Sequence, residues 1–353
     1  MSSLQIWLAM VGGVILVVLV AYNAWTSRQN QPKQAEPLIT PEELDALTQS
    51  ETSIDGLPPL SSDALGAYSQ MAHEFPQPNP RGQLDPLIDV MASMELETPM
   101  SGEAALAALP PVRRVGSKLF IVEGLNADTG EWENLQAGLF YSAFQAGIQV
   151  ANRQGPLNDI EFSEFVVKAQ TYADAFGVTP ELPDMSEAIA HARELDQFAA
   201  SHDAQLSFTI ASRKTAWSPG YVQQQAARIG FVPGVIPGRM VIAASTSGLP
   251  PVLVLSFDAR AAMAEDPNQS ALRSISLGLD VPQVAPSEQA FARLCESAQA
   301  LAQAMDGQIT DDNGQVLSDA AIQIIDNDLK NLYQALAARD LAAGSLQARR
   351  LFS

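Results

Sequence analysis

Apolar positions fall into three regimes along this chain. From Leu4 to Trp25 they run nearly unbroken, and no charged residue intervenes. From residue 26 to 112 they show no sustained period. Beyond Arg113 short periods of two and of three to four return, punctuated by Gly, Pro, Asn and Ser. The first regime predicts a transmembrane helix over 4–25. Crossing the hydrocarbon core takes about 20 helical residues at about 1.5 Å each. Trp7, Tyr22 and Trp25 stand where aromatic belts form. A cleaved secretory signal is the competing reading, but it would carry a basic n-region and nothing ahead of Ile6 is charged. The first cations, Arg28 and Lys33, follow the run, so the positive-inside rule leaves residues 1–3 outside and the bulk of the chain in the cytoplasm.

The second regime reads as a disordered, acidic, Pro-rich linker over 26–112. Residues 28–112 hold 12 of the 23 prolines and 13 acidic against 3 basic residues. Stretches such as QNQPKQAEP and EFPQPNPRGQ bury too little apolar surface to offset the entropy of ordering. PEELDALTQ and LDPLIDVMASMEL have some helical spacing and are read as transient helices at most.

The third regime predicts folded structure in two parts. In 113–202, Lys118–Leu125 reads as a strand and NADTG (Asn126–Gly130) as a turn. Tyr141–Arg153 alternates with period two, with a helix as the competing reading. Phe162, Phe165, Ala169, Tyr172 and Phe176 mark a helix between a cap at Asn158 or Asp159 and a stop at Gly177. A second helix runs from Met185 to about Ser201. In 203–340, strands are expected at Leu206–Ala211, Met240–Ala243, Val252–Phe257 and Ser274–Val281. Helices open at Ser218-Pro219, at Ser287 and at Ser318, and Asn313-Gly314 signals a hairpin. Residues 341–353 are left as a tail. The fold class is α+β, an antiparallel sheet with helices packed on one face. DAQL (Asp203–Leu206) weakly echoes DGQI (Asp306–Ile309), which leaves an internal duplication open.

Composition narrows the chemistry. Forty acidic against 20 basic residues give a formal charge of −20, which phosphate backbones would repel, so nucleic acid is not an expected partner. The lone Cys295 rules out an internal disulfide, and three scattered histidines (His73, His191, His202) give no zinc site or catalytic triad. No phosphate-binding glycine loop precedes a helix. Asp311-Asp312-Asn313-Gly314 lacks the later ligands of a calcium loop and reads as a turn. Neither an enzyme, nor a cofactor, nor a metal, nor a small-molecule substrate is expected.

The second face of the later sheet poses a question. In VLVLSF both phases are apolar, whereas helices on one side would bury only one. Either the 113–202 part covers the other face, or it forms a protein-binding groove.

Several stretches resemble the ZipA family of bacterial division proteins. Glu296–Leu336 (ESAQALAQAMDGQITDDNGQVLSDAAIQIIDNDLKNLYQAL) is similar to the family's helix, turn, acidic hairpin and final helix. LSFTIA through AARIGF (Ala226–Phe231) and SLGLDVP (Ser276–Pro282) are similar to earlier strands and helices. The layout of anchor, tether and C-terminal α+β domain is similar too. The resemblance implies a split β-α-β domain that binds the C-terminal tail of FtsZ and tethers the division ring to the bacterial inner membrane, with residues 1–3 periplasmic. A membrane-anchored scaffold for another envelope or division protein is the alternative. By strand position, the resemblance implies a groove floored by Ser207 and Thr209, by Met240 and Ile242, by Leu255, Phe257 and Ala259, and by Ser276 and Gly278. Two departures stand out: the first strand is polar where the family is aliphatic, and Gly278 stands where the family places an aromatic. These departures would leave the groove shallower, shifted towards Met240, Ile242 and Phe257, or lost.

Overall fold

The computed structural model describes residues 32–35, 84–264, 270–311 and 314–353. The expected membrane segment 4–25 and the N-terminal residues 1–3 lie outside the described residues, as do most of the linker and Asn313 of the hairpin. Among the described residues no helix is long and apolar enough to cross a membrane. The chain divides into two compact units. Among the described residues, one comprises 84–204, 281–287 and 327–353; the other comprises 32–35, 205–264, 270–280, 288–311 and 314–326.

The first unit begins with β1 (Asp89–Ser101) and α1 (Gly102–Ala107), followed by β2 (Arg114–Val115), β3 (Lys118–Asn126), β4 (Trp132–Asn134) and β5 (Phe140–Gln149). A small hairpin of β6 (Ala151–Asn152) and β7 (Gly155–Pro156) precedes α2 (Asp159–Asp174) and α3 (Met185–His202). The sheet order is β1-β5-β3-β2, with β4 on β3, all antiparallel. Alternation sends Phe120, Phe144, Ala146 and Ile148 to one face, where they are fully buried. There Phe144 meets Tyr172 of α2 edge-on at 5.5 Å between ring centroids, and Phe120 meets Phe165 at 6.2 Å. Helix α2 opens on a capping box. Asn158 accepts from the Ile160 and Glu161 amides, and Glu161 accepts from the Asn158 amide. The period-two reading of Tyr141–Arg153 is the one that forms.

Two sequence expectations are corrected here. The continuous disordered tether over 26–112 does not hold at 84–112, where β1 and α1 fold, nor at 32–35. Of the prolines that suggested disorder, Pro86 precedes β1, Pro110 and Pro111 follow α1, and Pro99 lies in the register break between Glu95 and Met100 of β1. The paired stretch of β1 instead alternates, with Val90, Ala92 and Met94 buried. Nor are residues 341–353 a tail. Helix α8 (Leu346–Leu351) buries Ala348 and Leu351, and Phe352 is buried beyond it, all in the core that holds Ile88 and Val90.

The second unit contains β8 (Gln205–Ser212), α4 (Pro219–Arg228), β9 (Val232–Pro233), β10 (Arg239–Ile242), β11 (Leu253–Ser256), the short α5 (Ala259–Ala262), β12 (Ser274–Asp280), α6 (Ala290–Met305) and β13 (Gly307–Thr310). The division at Asp326 falls inside α7 (Asp319–Ala337). The strand order is β13-β8-β12-β11-β10-β9, antiparallel throughout. Phe208, Ile210, Leu277 and Leu279 are buried, and the Phe208 ring lies 6.3 Å from Phe291 of α6. Ser218 caps α4 with Pro219 in its first turn, and Gly230 (φ +93°) ends it. Ser287 is not the cap of α6. Glu288 accepts from the Ser245 amide (2.8 Å) and hydroxyl (3.0 Å) and from Arg293 (3.1 Å). Those bonds accompany a 3₁₀ turn at Pro286–Glu288, and α6 starts only after left-handed Gln289.

A short piece of the expected linker belongs to this unit. The Lys33 amide donates to Ala216 O (2.7 Å) and Lys33 O accepts from the Ser218 amide (2.8 Å). The Lys33 ammonium donates to Met305 O (3.1 Å), the same carbonyl that takes the indole N–H of buried Trp217 (2.9 Å). A cation at the C-terminal carbonyls of α6 also suits the helix dipole.

The two units share one connectivity. In each, a first strand (β1, β8) leads through a helix (α1, α4) to an antiparallel run whose last strand (β5, β12) returns beside the first. A long helix follows (α2, α6), then a pairing on the first strand's free edge, then another long helix (α3, α7). That edge pairing is β13 in one unit and the Ser93–Glu181 bridge in the other. This repeated connectivity has the form an internal duplication would leave, but the DAQL–DGQI echo does not mark it. Asp203–Leu206 leads into the first strand of the second unit and Asp306–Ile309 into its last.

Candidate peptide-binding face

Cross-strand register sorts the residues of the second unit by face. Phe208 pairs with Leu277, Leu277 with Leu255, and Leu255 with Met240. All four are buried on the side of α6. One step along, Ser207 pairs with Gly278, Gly278 with Val254, Val254 with Val241, and Val241 with Val232. This row crosses five strands on the helix-free face. A second row on that face joins Thr310, Thr209, Ser276, Ser256 and Arg239. Of these ten residues five carry hydroxyls and three are valines, with Gly278 and Arg239 completing the rows, and Ser207 and Ser276 hydrogen-bond through their hydroxyls at 2.8 Å.

Of the nine residues expected to floor a groove, the structure brings together Ser207, Thr209, Ser276 and Gly278. Met240, Ile242 and Leu255 lie on the opposite face, under the helices, so they cannot share a floor with the other four. Phe257 follows the end of β11 and donates its amide to Gly238 O (2.9 Å). With Thr209, Ser256, Arg273 and Ser276 it borders an open depression of about 420 Å³. Ala259 begins α5 and is half-buried. The shift towards Met240 and Ile242 is therefore replaced by a valine row, Val232, Val241 and Val254. The signal that finds it is in β12, where polar Ser276 and Gly278 alternate with apolar Leu277 and Leu279. Pairing that strand with VLVLSF chooses the phase that VLVLSF alone leaves open.

Gly278 sits at the centre of the face. A Cβ there would meet only the carbonyl oxygens of Val254 (3.8 Å) and Leu206 (3.9 Å) among the described residues. The floor is therefore recessed between Ser207 and Val254, with no side chain filling it.

Groups that could suggest other chemistry have structural surroundings. Burial pushes the Cys295 thiol up to about 11, with Asp326 and Glu296 adding to the effect, which suppresses the thiolate. Asp311 closes its turn by accepting from the amides of Gly314 (3.0 Å) and Gln315 (2.8 Å). His202 stacks on Phe198 at the end of α3, 4.1 Å between centroids. Among the described residues no group of three His, Cys, Asp or Glu is placed to hold a metal.

The family model of the ZipA C-terminal FtsZ-binding domain matches residues 259–328. This chain is similar to that domain over β12, α6, β13 and the start of α7. The matched stretch includes the strand that carries Ser276 and Gly278, whereas β8, β10 and β11 lie before it. Among curated proteins, none matches the chain.

Proposed function

We propose that this chain is a membrane-anchored division protein whose second unit binds the C-terminal tail of FtsZ on its helix-free sheet face. The observation that carries the reading is the family match over 259–328, which contains the central strand of that face. A six-stranded sheet with helices on one side and a row of valines on the other suits an extended peptide held by apolar anchors. The role is binding without catalysis. Anchoring comes from the apolar run Leu4–Trp25, long enough to cross the inner membrane with residues 1–3 in the periplasm. Many such anchors gripping many filament tails would give avidity from individually modest contacts.

The test is a titration of the full chain, in nanodiscs, against a fluorescent FtsZ C-terminal tail peptide. Saturable binding that is weakened by Val254→Asp supports the reading. No binding at any accessible concentration, with septal localisation intact in cells, would favour a scaffold for another envelope partner.

A further inference from the structure

The matching connectivity of the two units puts two glycines at one position. Gly147 of β5 pairs with Met91 of β1 and Ile121 of β3. Gly278 of β12 pairs with Ser207 of β8 and Val254 of β11. Two residues earlier the agreement continues: Gln145 lies between Ser93 and Glu123, and Ser276 lies between Thr209 and Ser256. Even the edge pairing corresponds, since Glu181 bridges Ser93 as Thr310 pairs with Thr209.

In the first unit this position is occupied. Leu84, from the segment entering β1, lies directly over Gly147, so that a Cβ on Gly147 would collide with Leu84 Cδ2 and come within 3.0 Å of Cδ1. The Leu84 amide donates to Glu123 Oε1 (2.9 Å), and Gln145 Nε2 donates to Glu123 Oε2 (2.9 Å). The face therefore holds a leucine by a glycine recess and a side-chain acceptor one row away. In the second unit the recess over Gly278 has no such occupant among the described residues, and hydroxyls at Ser256 and Ser276 replace Glu123 and Gln145.

We propose that the second unit takes an extended segment that seats one branched aliphatic side chain, Leu or Ile, on Gly278, as Leu84 sits on Gly147. The Ser256 hydroxyl then stands where Glu123 accepts the amide. The inference rests on the reading above in taking the FtsZ tail as that segment. The first unit, its recess already filled by its own chain, contributes no tail site.

Filling the recess tests this with the full chain and the fluorescent tail peptide. Gly278→Leu should weaken binding at least tenfold while leaving the melting temperature unchanged or higher, because glycine is a poor strand residue. Gly278→Ala, whose Cβ meets only ordinary contacts, should fall between. Gly147→Leu should leave tail affinity unchanged. With isotope-labelled protein, methyl protons of one Leu or Ile of the peptide should show contacts to the Gly278 α-protons, a readout that stands even if Gly278→Leu fails to fold. Wild-type affinity in Gly278→Leu, or the absence of those contacts in a saturated complex, overturns the seat on Gly278 while the tail-binding role survives. Absence of any wild-type binding removes the tail-binding role and the seat with it.

Discussion

Arg350 grips Asp89 through two parallel hydrogen bonds, Nη1 to Oδ2 at 2.7 Å and Nη2 to Oδ1 at 2.5 Å, across 261 residues of sequence. Both side chains are buried, and the pair ties α8 to the start of β1. Removing one partner leaves an uncompensated buried charge. Asp89→Asn is expected to cost about 3–5 kcal/mol, whereas replacing both with apolar residues should cost less. Denaturant unfolding, with hydrogen exchange reporting on β1, distinguishes the two variants.

Val254 and Leu255 are neighbours with opposite consequences. Leu255 is fully buried under the helices, so Leu255→Asp should unfold the second unit. Val254 lies on the helix-free face, so Val254→Asp should keep the fold and weaken binding of the tail peptide. Circular dichroism melts alongside the titration read both effects. Equal destabilisation by the two substitutions would contradict the register described here.

Lys33 makes two backbone bonds, and its ammonium reaches Met305 O. Lys33→Met keeps the backbone bonds and loses a charged hydrogen bond worth about 1.5–3 kcal/mol in general, reduced here by partial exposure. The expected outcome is destabilisation by about 1 kcal/mol, with faster proteolytic cutting near residue 33. Limited proteolysis followed by mass spectrometry measures it.

Cys295 should alkylate slowly at neutral pH. With its thiol pushed up to about 11 by burial, the thiolate fraction at pH 7 is far below that of a free cysteine. The rate with iodoacetamide in the folded protein should keep rising through pH 9 and 10. A plateau near pH 9 would show an ordinary thiol.

Local patterns in the sequence located most elements from Lys118 onward. The Asn158 cap, the Ser218-Pro219 start, Gly177 and Gly230 are short-range signals whose chemistry acts within one helical turn. What failed was non-local. β1 is held by its pairing with β5 about 55 residues later, and Pro86 ahead of it and Pro99 in its register break masked its alternation. The folding of α8 depends on the Asp89 partner, which no local window contains. The groove floor went astray because both phases of VLVLSF are apolar, so Leu255 and Val254 can be told apart only through β12. Leu84, which occupies the face of the first unit, carries no periodic signal.

The docking of Lys33 sets a stand-off. Eight residue-to-residue steps separate it from Trp25, and an extended chain covers at most about 3.6 Å per step, so the two lie within about 29 Å of each other. Residues 36–83 connect Lys33 to Leu84 and are off the route from the apolar run to the proposed tail-binding face. Under the proposed anchoring, lengthening that stretch would leave the reach of the face from the bilayer untouched, and lengthening 26–31 would extend it.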